Sequence, residues 1–270
     1  MHGLGNDYII IDNRDGKIGS GEEEKLARRL CERRFSVGAD GMLLVCNSKL
    51  AEVKMRIFNP DGTEAEMCGN GIRCLAKYCH ENEITQKSEF QIETLAGLKK
   101  VWLTIENGEV KKVKVDMGIP LFERSKIPML GEGKCIGEDI EVDERKLKIT
   151  CLSLGNPHCV IFVDDVKNFP VQKIGPKIEN HKLFPRRVNV EFVQVLNKKE
   201  LNVRVWERGC GETLSCGTGA CASVVVANLE GKVDNKSTVH LLGGELDVEF
   251  SGNMFMTGPV EKVFEGKLFG

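Results

Sequence analysis

Apolar and polar residues alternate in VKMRIF (53–58), FQIETL (90–95), VWLTIE (101–106) and KKVKVDM (111–117). The pattern returns in CVIFVD (159–164), VEFVQV (190–195), LNVRVW (201–206), STVHLL (237–242) and LDVEF (246–250). A period of two, bounded by Gly, Asn and Asp, predicts half-buried strands. Two short segments, about 71–79 and 219–228, lose the alternation and are small or aliphatic on nearly every side, which predicts buried helices. GEEEKLARRLCERR (21–34) carries acids early and bases late, as a solvated surface helix does. The Gly-, Pro- and charge-rich stretch 124–142 reads as a linker and a surface excursion of the second half.

The two apolar helices belong to longer blocks that repeat. RIFNPDGTEAEMCGNG (56–71) lies over RVWERGCGETLSCGTG (204–219) without a gap at an offset of 148, setting Cys68 on Cys216. LGN at 4–6 and 154–156 follows at 150, FSVGADGMLLV (35–45) over FPRRVNVEFVQ (184–194) at 149 with Asp40 on Asn189, and TLAGLKKVWLTI (94–105) over LLGGELDVEFSG (241–252) at 147. Four collinear blocks at nearly one offset predict two homologous halves. The expected fold is α+β, with two pseudo-symmetric halves, each a curved, mainly antiparallel sheet wrapped around a central helix, and an active site between them. The halves are expected at 1–116, completed by a C-terminal strand at about 259–270, and at 117–258.

Composition narrows the partners. A formal net charge of −2 supplies no broad positive field for nucleic acid or anionic membrane, so a small-molecule ligand is expected. No run approaches the ~20 apolar residues of a membrane span. The start MHGLGNDYIIID has no basic export region, and eleven cysteines, an odd count in a long chain, read as reduced thiols, so a cytoplasmic protein is expected. A homodimer is compatible with these numbers.

The paired turns CGNG and CGTG carry the chemistry. A helix N-terminus offers unpaired N–H groups and partial positive charge, glycines admit an anion close to that backbone, and the same field favours a thiolate. Two such turns converging on one ligand would hold a carboxylate and flank the carbon beside it with Cys68 and Cys216. That arrangement suits racemisation or epimerisation of an α-amino acid, one sulfur removing a proton and the other returning one. No lysine stands out as a Schiff-base residue, so no cofactor is expected. A non-catalytic module using both turns as carboxylate or nucleotide cradles remains the alternative, although it has no use for two thiols. Zinc is set aside: Cys68-Cys74-Cys79 and Cys210-Cys216-Cys221 share a spacing, but cysteines five or six apart on a helix do not face one side.

MHGLGNDYIIID, GADG, RIFNPDGTEAEMCGNGIRC, LGNPHCVIFVDD, RVNVEFVQV, WERGCGETLSCGTGAC and MTGPVEKVFEG together resemble the diaminopimelate epimerase family, in order over essentially the whole chain. The resemblance implies cofactor-free interconversion of LL- and meso-2,6-diaminopimelate in lysine and peptidoglycan precursor synthesis, with Cys68 and Cys216 as acid and base. It implies that the backbone of Gly69, Asn70, Gly217 and Thr218 holds the reacting carboxylate. Asn6, Asn59, Asn156, Asn189, Glu207 and Arg208 would bind the remaining amino and carboxylate groups, with His158 supporting. Such a set matches a substrate with two zwitterionic ends, since a guanidinium and neutral amides suit a distal carboxylate and a glutamate suits an ammonium.

Overall fold

A computed structural model describes residues 1–268 of the 270. The chain divides into two compact units, Met1–Asp116 joined by the chain from Thr257 onward, and Met117–Met256.

In the first unit, Asn6–Asp12 pairs in parallel with Gly41–Cys46, which pairs antiparallel with Val53–Phe58. Val53–Phe58 also takes Glu89–Thr94 in parallel, and Gly97–Glu106 and Glu109–Gly118 follow antiparallel. Each parallel pair needs a crossover, and each crossover contains a helix. These are α1 (Glu23–Cys31) and α2 (Gly69–Glu81).

The second unit repeats the scheme. Pro157–Phe162 runs parallel to Asn189–Asn197, which pairs antiparallel with Glu200–Glu207, and that strand takes Lys236–Leu241 in parallel before the antiparallel Gly244–Ser251. Its crossovers carry α3 (Val171–Glu179) and α4 (Gly217–Leu229). The strand register refines the repeat. Tyr8 stands beside Gly41 as His158 stands beside Asn189, so Asn189 corresponds to Gly41, one residue from the sequence alignment that set it on Asp40.

Helices α2 and α4 are 13 residues each and almost wholly buried, as the lack of a polar face requires for α4. α2 also buries Arg73 and Lys77 completely. Lys77 is held by Glu81 at 2.6 Å, Glu109 at 3.2 Å and the Val110 carbonyl at 2.8 Å, as a buried charge must be. α1 keeps its charges outward except Glu23, which is buried and pairs with Arg56.

One helix enters that the sequence pattern did not predict, and two expectations change. In α3, Val171, Ile174, Gly175 and Ile178 form one buried face that sustains the helix across Gly175-Pro176. Residues 124–142 are no surface excursion: Ile127, Met129, Cys135, Ile140 and Val142 enter the core of the second unit. Those apolar residues are too sparse among Gly and charge to show a period, so each contributes singly. The last strand is Asn253–Pro259, not 259–270. Pro259 ends it, having no N–H for a ladder, and beyond it Glu261 exchanges two backbone hydrogen bonds of 2.9 Å with His2. Phe269 and Gly270, the end of the expected strand, lie outside the described residues. Among the described residues no helix is long and apolar enough to cross a membrane.

Candidate active site

Both cysteines are helix N-caps. Cys68 precedes α2 and Cys216 precedes α4, each in extended backbone, and each sulfur accepts the N–H of the third helical residue, Gly71 or Gly219, at 3.4 Å. Serine or aspartate oxygen usually fills that role. The N–H groups of the first two helical residues have no intrahelical acceptor. Those residues are Gly69 and Asn70 in one unit and Gly217 and Thr218 in the other, so each unit presents a sulfur beside a two-amide anion cradle.

In the first unit, Cys68 is half-buried and receives the Tyr8 hydroxyl at 3.0 Å. Asn6 Oδ1 lies 3.7 Å from the sulfur and accepts Asn70 Nδ2 at 3.1 Å. Arg73 braces the turn from below, donating to Asn70 Oδ1 at 2.8 Å, the Gly69 carbonyl at 3.1 Å and the Pro259 carbonyl at 3.2 Å. Asn6 Nδ2 is fixed by Asp40 at 3.0 Å, and Arg33 ties Asp40 to Asp7. Asn59 stands in an exposed turn, its amide on Thr63 Oγ1 at 3.0 Å.

In the second unit the sulfur of Cys216 is buried, 3.5 Å from Thr218 Oγ1. Thr218 accepts Asn156 Nδ2 at 3.1 Å, and Asn156 Oδ1 faces His158 Nε2 at 2.9 Å. His158 Nδ1 meets Glu191 Oε1 at 2.7 Å, with both side chains inaccessible. One chain of polar contacts thus runs from Glu191 through His158, Asn156 and Thr218 to the Cys216 sulfur. Glu207 accepts the Thr213 hydroxyl at 2.6 Å and lies beside Cys216. Burial pushes the Glu207 carboxyl above its ordinary range. Burial, then the carboxylates of Glu207 and Glu191, hold the Cys216 thiol well above the usual cysteine range. Asn189 spends its amide on backbone, donating to the Pro157 carbonyl and accepting the Arg208 N–H, both at 2.9 Å. That clamp sets the chain direction at Glu207 and Arg208, and the Arg208 side chain is exposed.

Sequence reasoning missed Tyr8, Arg73, Glu179 and Glu191. Glu179 of α3 accepts Trp206 Nε1 at 2.7 Å and the Gly209 N–H at 2.8 Å, anchoring the segment that carries Glu207. The repeat itself held the signal for Tyr8: Asn6 and Asn156 open both copies, and the residue two further on is Tyr8 or His158.

The fold and the two cysteine-capped helices define one class of twinned α+β protein. A hydroxyproline epimerase from Agrobacterium vitis, solved with bound trans-4-hydroxy-L-proline, shares the fold with a TM-score of 0.67 at 15% identity, over 96% of this chain and 87% of its own. A PhzF-family phenazine biosynthesis protein from Bacillus anthracis shares it with a TM-score of 0.68 at 19% identity, over 96% and 92%. Within that class, the family model for diaminopimelate epimerase matches residues 1–122 and 150–263. The diaminopimelate epimerase of Moorella thermoacetica is 53% identical over 98% of this chain and 96% of its own, and that of Methanococcus maripaludis is 48% identical over 99% and 98%. This chain belongs to the diaminopimelate epimerase family.

Proposed function

We propose that this protein is an isomerase that interconverts LL- and meso-2,6-diaminopimelate in lysine and peptidoglycan precursor biosynthesis, acting in the cytoplasm as a homodimer. The observation that carries the reading is the recurrence, in a chain of this family, of a cysteine N-cap at the start of a buried helix in each half, its sulfur on the third helical N–H.

The reacting carboxylate is held by the amides of Gly69, Asn70, Gly217 and Thr218, whose dipoles stabilise negative charge developing at the α-carbon. One cysteine thiolate takes the α-proton and becomes a thiol; the other thiol delivers its proton to the opposite face and becomes a thiolate. The pair is thereby left in the reverse state, ready for the other isomer. The surroundings of the sulfurs support a resting assignment. Each sulfur accepts a helix N–H, but Cys68 also receives the Tyr8 hydroxyl whereas Cys216 is buried beside Glu207, which supports the thiolate resting at Cys68 and the thiol at Cys216. The isomer whose α-hydrogen faces Cys68 is deprotonated first. Asn6, Asn59, Asn156, Asn189 and Arg208 bind the distal carboxylate and amino groups, Glu207 pairs with an ammonium, and His158 orients Asn156.

The test is NMR of LL-diaminopimelate in deuterated buffer with wild type, Cys68→Ala and Cys216→Ala. Deuterium at the α-carbon and appearance of the meso isomer are expected from wild type and from neither variant. Tight binding by reduced wild type without exchange would instead make the two turns an anion-binding module.

A further inference from the structure

We propose that Tyr8 is a catalytic residue of the first unit, its phenolic O–H donating to Cys68 Sγ and stabilising the thiolate that takes the substrate's α-proton. The inference rests on the reading of Cys68 as an acid/base group. Tyr8 keeps its own proton throughout; its hydrogen bond to the sulfur weakens as the sulfur becomes a thiol and strengthens when the proton leaves.

The placement is built rather than incidental. Tyr8 is 8% exposed, and its hydroxyl lies 3.0 Å from the sulfur. Its ring packs on Gly41, where a Cβ would fall 2.8 Å from Tyr8 Cε1 and 3.0 Å from the Phe58 carbonyl, so a larger residue there would displace the ring. The Tyr8 main chain is pinned as well: its N–H donates to the Met1 carbonyl at 2.8 Å, and the Met1 nitrogen donates to the Tyr8 carbonyl at 3.1 Å.

The charged and titratable groups around the pair come from several elements. They include Arg73 and Cys74 on α2, and Asp7, Asp40 and Arg33 beyond Asn6. Cys74 remains a thiol, pushed up to about 12 by burial. The acceptor nearest the sulfur, Asn6 Oδ1, is the more distant partner at 3.7 Å and already serves Asn70. Both sulfurs accept a helix N–H at 3.4 Å; what sets Cys68 apart is the Tyr8 hydroxyl at 3.0 Å, where Cys216 has the Glu207 carboxyl beside it.

Tyr8→Phe removes the hydroxyl and leaves the ring packing. Iodoacetamide labelling of Cys68, followed across pH by peptide-resolved mass spectrometry, should show its midpoint displaced upward by about one pH unit or more, the effect of one hydrogen bond to a charged acceptor. The acid limb of the kcat/KM profile should move by the same amount, which a residue that merely packs would leave in place. A second measurement uses wild type alone. The chain has two tyrosines, so ring-13C labelling gives a pair of hydroxyl-bearing carbon signals, and alkylating Cys68 should move that of Tyr8 and spare that of Tyr78. An unmoved labelling midpoint and acid limb in Tyr8→Phe would overturn the proposal, as would a Tyr8 signal indifferent to alkylation. The labelling needs no substrate, so an inactive wild type would count against the epimerase reading and not against the Tyr8–Cys68 pairing.

Discussion

Removing Glu191 tests whether the second unit carries a desolvated hydrogen-bonded pair behind the Cys216 sulfur. Glu191→Met keeps the length and approximate volume of the side chain and deletes its carboxylate, leaving His158 Nδ1 without the partner it meets at 2.7 Å. Both side chains are inaccessible to solvent, so no water replaces the lost contact at once. An unsatisfied buried N–H costs about 1–3 kcal/mol; a buried charge stripped of its partner costs about 3–5 kcal/mol. The expected loss is therefore about 3 kcal/mol, borne by the second unit. Urea unfolding in a Trp102→Phe background would read it, because the remaining Trp206 lies in that unit and is held by Glu179 at 2.7 Å. Replacing both partners, as in His158→Leu/Glu191→Met, should restore part of the stability, since two apolar side chains leave nothing unpaired. A loss below about 1 kcal/mol in the single variant, or strict additivity in the double, would refute the pair as a desolvated unit.

Three further outcomes follow from the geometry. Gly219→Ala places a Cβ 2.8 Å from Glu191 Oε1 and 3.3 Å from Cys216 Sγ, so α-proton exchange should fall about 10²-fold with the fold retained, read by NMR. Gly175→Ala drives a Cβ to 2.6 Å from Trp206; overpacking of this kind should cost about 1–3 kcal/mol and shift the Trp206 fluorescence. Burial raises Cys74 and Cys79 to about 12 and Cys216 well above 9.0. Their unfolded thiols ionise near 9 while the folded ones stay protonated, so stability is intact below that pH and falls as pH rises above it. The slope should be about 1.4 kcal/mol per pH unit for each such thiol, and Cys79→Ala should lessen it in denaturant titrations at high pH.

Much of this was legible in the chain itself. Alternation announced the strands, and the offset of 148 announced the duplicated halves with a Cys-Gly-x-Gly turn at each helix start. What stayed hidden has a common physical cause. Strand Asn189–Asn197 lies parallel to Pro157–Phe162, and parallel strands tend to be covered on both faces, so Glu191, polar by alternation, is buried like its neighbours. Its partner is 33 residues away, and no local pattern joins a glutamate to a histidine at that distance. Tyr8 likewise reads as one more apolar residue of NDYIIID until the parallel register brings it beside Gly41 and its hydroxyl to Cys68. Among the asparagines, local pattern did not foretell the partners each one takes: the cysteine turns for Asn6 and Asn156, backbone for Asn189 and Thr63 for Asn59.

The matched positions of Tyr8 and His158 bear on how such a protein came to exist. Two identical copies of one half, as separate chains, would hold their sulfurs in equal surroundings, and any difference in proton occupancy between them would have to arise afresh in each molecule. Tandem fusion removes that degeneracy. Once both copies share a chain, one site can carry a phenol and the other a carboxylate, as with Tyr8 beside Cys68 and Glu207 beside Cys216. The asymmetry is then inherited rather than improvised, and mutation acts on each sulfur's readiness separately, which a symmetric ancestor would not have allowed.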